Sequence, residues 1–195
     1  MQGLGGNYRR LAERLKEYHI KKRTTIVQPR YQLRNTPKTL SGKDVIDMLK
    51  KHNFFCKKYS WTENYFNESG NFENDFADSG DGTITDRAIG LMWQKSGSDN
   101  YMTYNKAEAY IRKLNDEKFA GYRDWRIPTL EELASLFKNK GIENNLYINP
   151  IFDKKKWWCW SADRRGSGGW WIVNFHDGLI DWYVLYDNLV RGVRP

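Results

Sequence analysis

The sequence predicts an α+β domain: two amphipathic helices packed on a twisted, mainly antiparallel sheet, preceded by a basic helical extension. Three observations carry that expectation. The stretch DSGDGTITDRAIGLMWQK reads as a hairpin, with a Gly-rich turn leading into β-forming residues. TYNKAEAYIRKLND and PTLEELASLFKNKG each repeat apolar residues at helical spacing behind a capping residue. WWIVNFH alternates as a strand does when its two faces meet different surroundings.

In chain order, Leu11, Leu15 and Tyr18 share a stripe ringed by Arg9, Arg10, Arg14, Lys16 and Lys21, which predicts a short amphipathic helix. TTIVQPRYQLRNTPKTL follows, where Pro29 and Pro37 disfavour helix and predict an extended connector. Ser41 and Asp44 are spaced as a capping box ahead of Val45, Met48, Leu49 and His52, so a helix is expected over 42–52 with His52 at the edge of the core. Strands are expected at 83–85 and 91–94, broken over 87–90. Thr103 caps a helix over about 104–116 that turns Ala107, Tyr110, Ile111 and Leu114 inward. Thr129 and Glu132 form a second capping box, Leu130, Leu133, Leu136 and Phe137 form a stripe, and Gly141 follows, which predicts a helix over 129–139. Arg123 and Asp124 are expected to pair near its start.

The last part carries the densest information. Trp171, Val173 and Phe175 are expected to face inward, and Trp170, Ile172, Asn174 and His176 outward. A turn at Asp177 and Gly178 then leads to a closing strand within 189–194, in the same sheet as 171–175. Trp93, Trp125, Trp160 and Trp171 are assigned to the core, since a small domain needs large side chains to bury enough area. The expected organisation is a basic helix and connector over 1–40, a helical lead-in over 41–77 and the main domain over 78–195.

Composition bounds the function. The chain has 195 residues, enough to bury roughly two-thirds of its unfolded surface. No apolar run approaches the roughly 20 residues of a membrane span. The start lacks an apolar stretch followed by a small-residue cleavage site, so a cytoplasmic setting is expected. Cys56 and Cys159 are too few for a disulfide scaffold and form no paired motif for zinc or redox chemistry. NDFADSGDGTITD gathers Asp75, Asp78, Asp81 and Asp86, but with Gly82 in the sixth place of a calcium loop, Ala77 and Ser79 occupy the first and third. A turn is expected there, and neither a metal nor a cofactor. Of the net charge of +8, residues 1–60 hold 15 Lys and Arg against 4 Asp and Glu, whereas 61–195 hold 17 against 20. Weak, salt-sensitive contact of residues 1–40 with nucleic acid or another polyanion is therefore one alternative function, although no nucleic-acid-binding motif accompanies the charge.

DGTITDRAIGLMWQK, GYRDWRIPTLEEL, WCWSAD, WWIVNFHDG and VRGVR occur in an order that resembles the Lcl C-terminal domain-like family, over about 78–194. LKKHNFF is similar to a segment that often precedes such domains. The resemblance implies a C-type-lectin-like fold related to the formylglycine-generating enzyme domain. That enzyme depends on a close pair of cysteines near its C-terminus, where this chain has Cys159 alone. An oxidase is thus a weaker alternative to a non-enzymatic binder.

Val184, Leu185 and Leu189 stand where the family usually has a polar stretch. Rigid aromatic rings beside adaptable hydrogen-bonding groups have the chemistry of a paratope. The expected anchors are Trp158, Trp170, Tyr183 and Tyr186. Asn174, His176, Asp181, Asp187 and Asn188 would set orientation, and Ile172 and Leu185 would fill apolar contacts. The expected partner is a protein or a glycan. Some lectin-like families are diversified by retroelements that mutate adenines, and the residues at 172, 174, 176, 179, 181 and 183–189 all have codons reachable from AAC in that way. Diversified display and a fixed binder are both open on the sequence.

Overall fold

A computed structural model of the chain describes residues 28–60, 65–142, 146–153, 158–183 and 186–195. The stripe around Leu11 lies outside them. Helix α1, Gly42–His52, starts at the expected capping box: the Ser41 hydroxyl accepts from the Asp44 amide, and the Asp44 carboxylate accepts from the Ser41 amide at 2.7 Å. Strands β1, Phe76–Asp78, β2, Thr83–Asp86, and β3, Leu91–Gln94, follow. Helix α2, Tyr104–Asp116, is capped by Thr103 and buries Ala107, Ile111 and Leu114, while Tyr110 is half-buried.

The next helix is shorter than its periodicity suggests. The Thr129–Glu132 capping box forms, but α3 covers only Leu130–Ala134, and the chain continues as strand β4, Phe137–Ile142, paired antiparallel with β5, Leu146–Ile148. The Ser135 hydroxyl donates to the Glu132 carbonyl at 2.7 Å as the helix ends. Leu136 and Phe137 still reach the core, from a turn and a strand rather than from a helical stripe. A periodic apolar pattern does not separate those two routes inward.

Strands β6, Trp158–Arg165, β7, Gly169–Asn174, and β8, Leu179–Tyr183, form one antiparallel sheet. Strand β9, Val193–Arg194, instead joins the sheet ordered β1-β2-β3-β9, pairing Val193 with Trp93. Contrary to expectation, the closing residues therefore do not all lie in one sheet with 171–175. They cross between sheets: Leu189 bridges Cys159 in parallel, and the Gly192 amide donates to Gln94 Oε1 at 2.8 Å on the way to β9.

Strand β7 is covered on both faces. Trp171, Val173 and Phe175 enter a large cluster with α1, α3 and β3 residues such as Leu49, Leu130 and Trp93. Ile172 enters a second cluster with Ala107, Ile111 and Leu114 of α2, Trp125, Ile127, Trp160 and Val190. The expected outward face thus exists as a face, but α2 and not solvent lies over its centre. Ile172 and Asn174 are both 0% exposed, which corrects the expectation that they are surface residues. Trp93, Trp125, Trp160 and Trp171 are core residues, none more than 2% exposed.

Residues ahead of β1 belong to the same core. Leu40, Val45, Leu49, Phe54, Cys56, Tyr65 and Phe72 pack in the cluster that holds Trp171. The extended connector is fastened by Asp163, a buried carboxylate that accepts from Arg34 Nη1 at 2.8 Å, Arg34 Nη2 at 2.6 Å, the Lys38 amide at 2.7 Å and the Leu130 amide at 2.8 Å. Arg34 is also 3.5 Å from Glu131, whose Oε1 lies 2.9 Å from His52 Nε2. One cation of the basic first third is therefore spent inside the fold. Asp124 does not pair with Arg123: it accepts from Arg194 at 2.6 and 3.0 Å, while Arg126 forms a fork with Glu132.

Candidate functional site

The β6–β7–β8 sheet gains two further backbone rungs beyond β6. Leu189 lies parallel to Cys159, and Met102 pairs antiparallel with Asn188 through bonds of 2.9 and 3.0 Å. The Trp160 indole donates to the Met102 carbonyl at 2.8 Å, which ties the outer rung to the sheet. Tyr101 and Tyr186 flank this Met102–Asn188 bridge from its two strands. They are 48% and 68% exposed, and with Tyr31 they make up the exposed large apolar side chains among the described residues. Asp187 beside them is exposed as well.

The remaining expected site residues are not gathered there. Trp170 is half-buried: the Tyr104 ring is 4.2 Å away and nearly parallel, and the Arg164 guanidinium is 4.6 Å from its centroid. The indole is thus already engaged by a ring and a cation and is not an open platform. Trp158 is half-buried against the α2 cluster. Asn174 caps the β7–β8 turn, its Oδ1 accepting from the His176 and Asp177 amides and its Nδ2 donating to Asp177. Asn188 is 2% exposed, so its side chain belongs to the loop interior. His176 is exposed at that separate turn, 2.9 Å from Asp177. Asp181 is half-buried and accepts from the Trp182 amide at 2.8 Å. Leu185 lies outside the described residues, and Tyr183 closes β8 opposite Trp170.

Three residues of this surface were not singled out by sequence reasoning. Tyr101 is the lone ring in the polar loop SGSDNYM, a signal that was available. Tyr104 and Arg164 carry no such signal, because their importance comes from meeting Trp170 across the fold. Burial, helped by Glu108, pushes the Tyr104 hydroxyl up to about 12, and burial first and then Cys159 raise that of Tyr101. Both hydroxyls are neutral hydrogen-bonding groups near pH 7.

The thiols and carboxylates have structural surroundings. Cys56 is fully buried, and burial pushes its thiol up to about 12. Cys159 is 1% exposed. Asp78 accepts from the Gly80 amide and Lys95, Asp81 from Thr83, Asp75 from Arg87, and Asp86 from Asn74 and two backbone amides. Among the described residues no group of His, Cys, Asp and Glu is arranged to hold a metal ion, and no helix is long and apolar enough to cross a membrane.

Residues 82–194 match the profile of the Lcl C-terminal domain. The chain belongs to the Lcl C-terminal domain family. No curated protein and no solved structure matches it. The family region takes in the β6–β7–β8 sheet and the Met102–Asn188 bridge, whereas α1, β1 and the connector fastened by Asp163 lie ahead of it.

Proposed function

We propose that this chain is a non-enzymatic binding protein whose ligand, a protein or a glycan, is held at the rim formed by Tyr101, Tyr186 and Asp187. One observation carries the reading: rings that elsewhere in the fold are mostly buried are presented to solvent on both strands of a single backbone bridge. Tyrosine supplies large contact area with few rotatable bonds and a polar tip, which suits recognition. The neutral hydroxyls of Tyr101 and Tyr104 add hydrogen-bonding capacity. Enclosed thiols, one of them pushed far above physiological pH, favour binding over nucleophilic or oxidase chemistry.

Family membership, together with helices laid on antiparallel sheets, supports a C-type-lectin-like reading of the domain. The burial of Ile172, Asn174, Leu179, Asn188 and Leu189 weighs for a fixed binder over a diversified one. Random replacement at those positions would strike packed side chains.

The test is direct. Candidate ligands captured on a glycan array or by proteomic pull-down with the full chain are re-measured with Tyr101→Ala and Tyr186→Ala. Truncating an anchoring ring is expected to weaken binding at least ~10-fold, the scale of an interface residue worth more than 1 kcal/mol. The melting temperature is expected to stay unchanged, since both rings are exposed. Unchanged affinity in both variants would place the binding surface elsewhere.

A further inference from the structure

Arg191 is the one cationic side chain among the buried residues of the described structure, and it is 0% exposed. Its Nη1 donates to the carbonyls of Gln94 and Lys95, and its guanidinium lies 4.7 Å over the Phe152 ring. Its Nε and Nη2 have no hydrogen-bond partner among the described residues. These two atoms belong to one side of the planar fork, where an Nε–H and an Nη2–H run nearly parallel and converge on a common acceptor.

Two neutral carbonyls and a ring face satisfy part of the guanidinium, but none of them supplies a counter-charge. An enclosed charge without one is costly. Burial accordingly holds Arg191 below its ordinary pKa, opposed by the pull of Cys159, Asp153 and Tyr110. Arginine nevertheless keeps its proton in proteins, so charge compensation and not deprotonation is the available relief. A water molecule would satisfy both donors and leave the charge, whereas a monovalent anion answers both demands.

The chain around Arg191 is closely held. Gly97, at φ 73°, brings its backbone so close that an added Cβ would stand 2.8 Å from the Val190 carbonyl and 3.6 Å from Arg191 Cα. The Ser98 amide donates to the Val190 carbonyl at 2.8 Å, and the Val190 amide donates to the Ser98 hydroxyl at 3.1 Å, which fastens that loop over Arg191. Arg191 is 0% exposed, so a ligand at its free edge must be small enough to be enclosed with it.

We infer that the Nε–Nη2 edge of Arg191 is a buried binding site for a small monovalent anion of the halide class. Held there, the ion ties the run entering β9 to the loop after β3 and to the segment at Phe152. This site is independent of the tyrosine rim, and its failure would leave the binding function untouched.

The experiment uses crystals of the full chain grown with bromide in place of chloride. The expected result is an anomalous bromine peak within hydrogen-bonding distance of both Arg191 nitrogens. The absence of a peak there, or density that stays the same in chloride and bromide as water would, overturns the proposal. In solution, the melting temperature of the wild type should rise on adding chloride or bromide but not gluconate at equal ionic strength, and Arg191→Met should lose the difference. Equal shifts in all three salts would also overturn it. If Arg191→Met does not fold, the bromide map and the wild-type salt series still decide.

Discussion

Replacing Ile172 by Asn separates the two readings of strand β7 most sharply. On the alternation of WWIVNFH alone, position 172 faces solvent and tolerates a polar side chain. In the fold it is 0% exposed, enclosed by α2, Trp125 and Trp160. Fully burying an isoleucine contributes roughly 1.5–3 kcal/mol relative to leaving it exposed. An asparagine amide placed among those neighbours without partners costs about 1–3 kcal/mol more. The two effects together amount to roughly 2.5–6 kcal/mol, and a chain of this size loses about 2–4 °C of melting temperature per kcal/mol. Ile172→Asn is therefore expected to melt at least ~5 °C below the parent. Tyr186→Asn, at a side chain 68% exposed, is the control and should change stability by no more than ~0.5 kcal/mol. Thermal melts followed by far-UV circular dichroism at neutral pH make the comparison. Should Ile172→Asn melt with the control, α2 does not cover β7 in solution and the two-cluster core is wrong.

Other expectations follow from the polar interior. Asp163→Asn removes a buried charge that holds both Arg34 and the start of α3, so it should cost about 3–5 kcal/mol and expose the connector to proteolysis between residues 28 and 40; a cleavage pattern identical to wild type would argue against the fastening. The Glu131 carboxyl is raised by burial, but contacts with His52 and Arg34 outweigh this and hold it below its ordinary 4.5. A depressed carboxylate adds stability above its unfolded pKa and loses it as pH falls through the folded one, so denaturant midpoints should decline below about pH 4.5, and less so in Glu131→Gln. Gly178 has φ 73°, and an added Cβ would stand 2.7 Å from the Tyr147 ring, so Gly178→Ala should lower the melting temperature by several degrees, roughly 1–3 kcal/mol; an unchanged melt would show that the ring yields freely.

The sequence by itself determined what depends on a few neighbouring residues. The capping boxes at Ser41 and Thr129 and the cap at Thr103 begin their helices where expected, because each rests on a contact between a residue and its third neighbour. The β2–β3 hairpin is as local, and the four core tryptophans follow from size and apolarity. The alternation in β7 correctly sorted its residues into two faces, yet alternation states which residues share a face and not what covers it. Only the tertiary structure decided that α2 lies over Ile172, that pairing with β5 replaces the second half of the expected helix, and that the last residues leave one sheet for the other. It also decided the polar partners: Arg34 meets Asp163 and Asp124 meets Arg194 across separations of 129 and 70 residues, and Arg191 is enclosed with one edge unmet. Contacts at such distances leave no periodicity in the chain, since they are fixed by how packed layers meet and not by the residues between them.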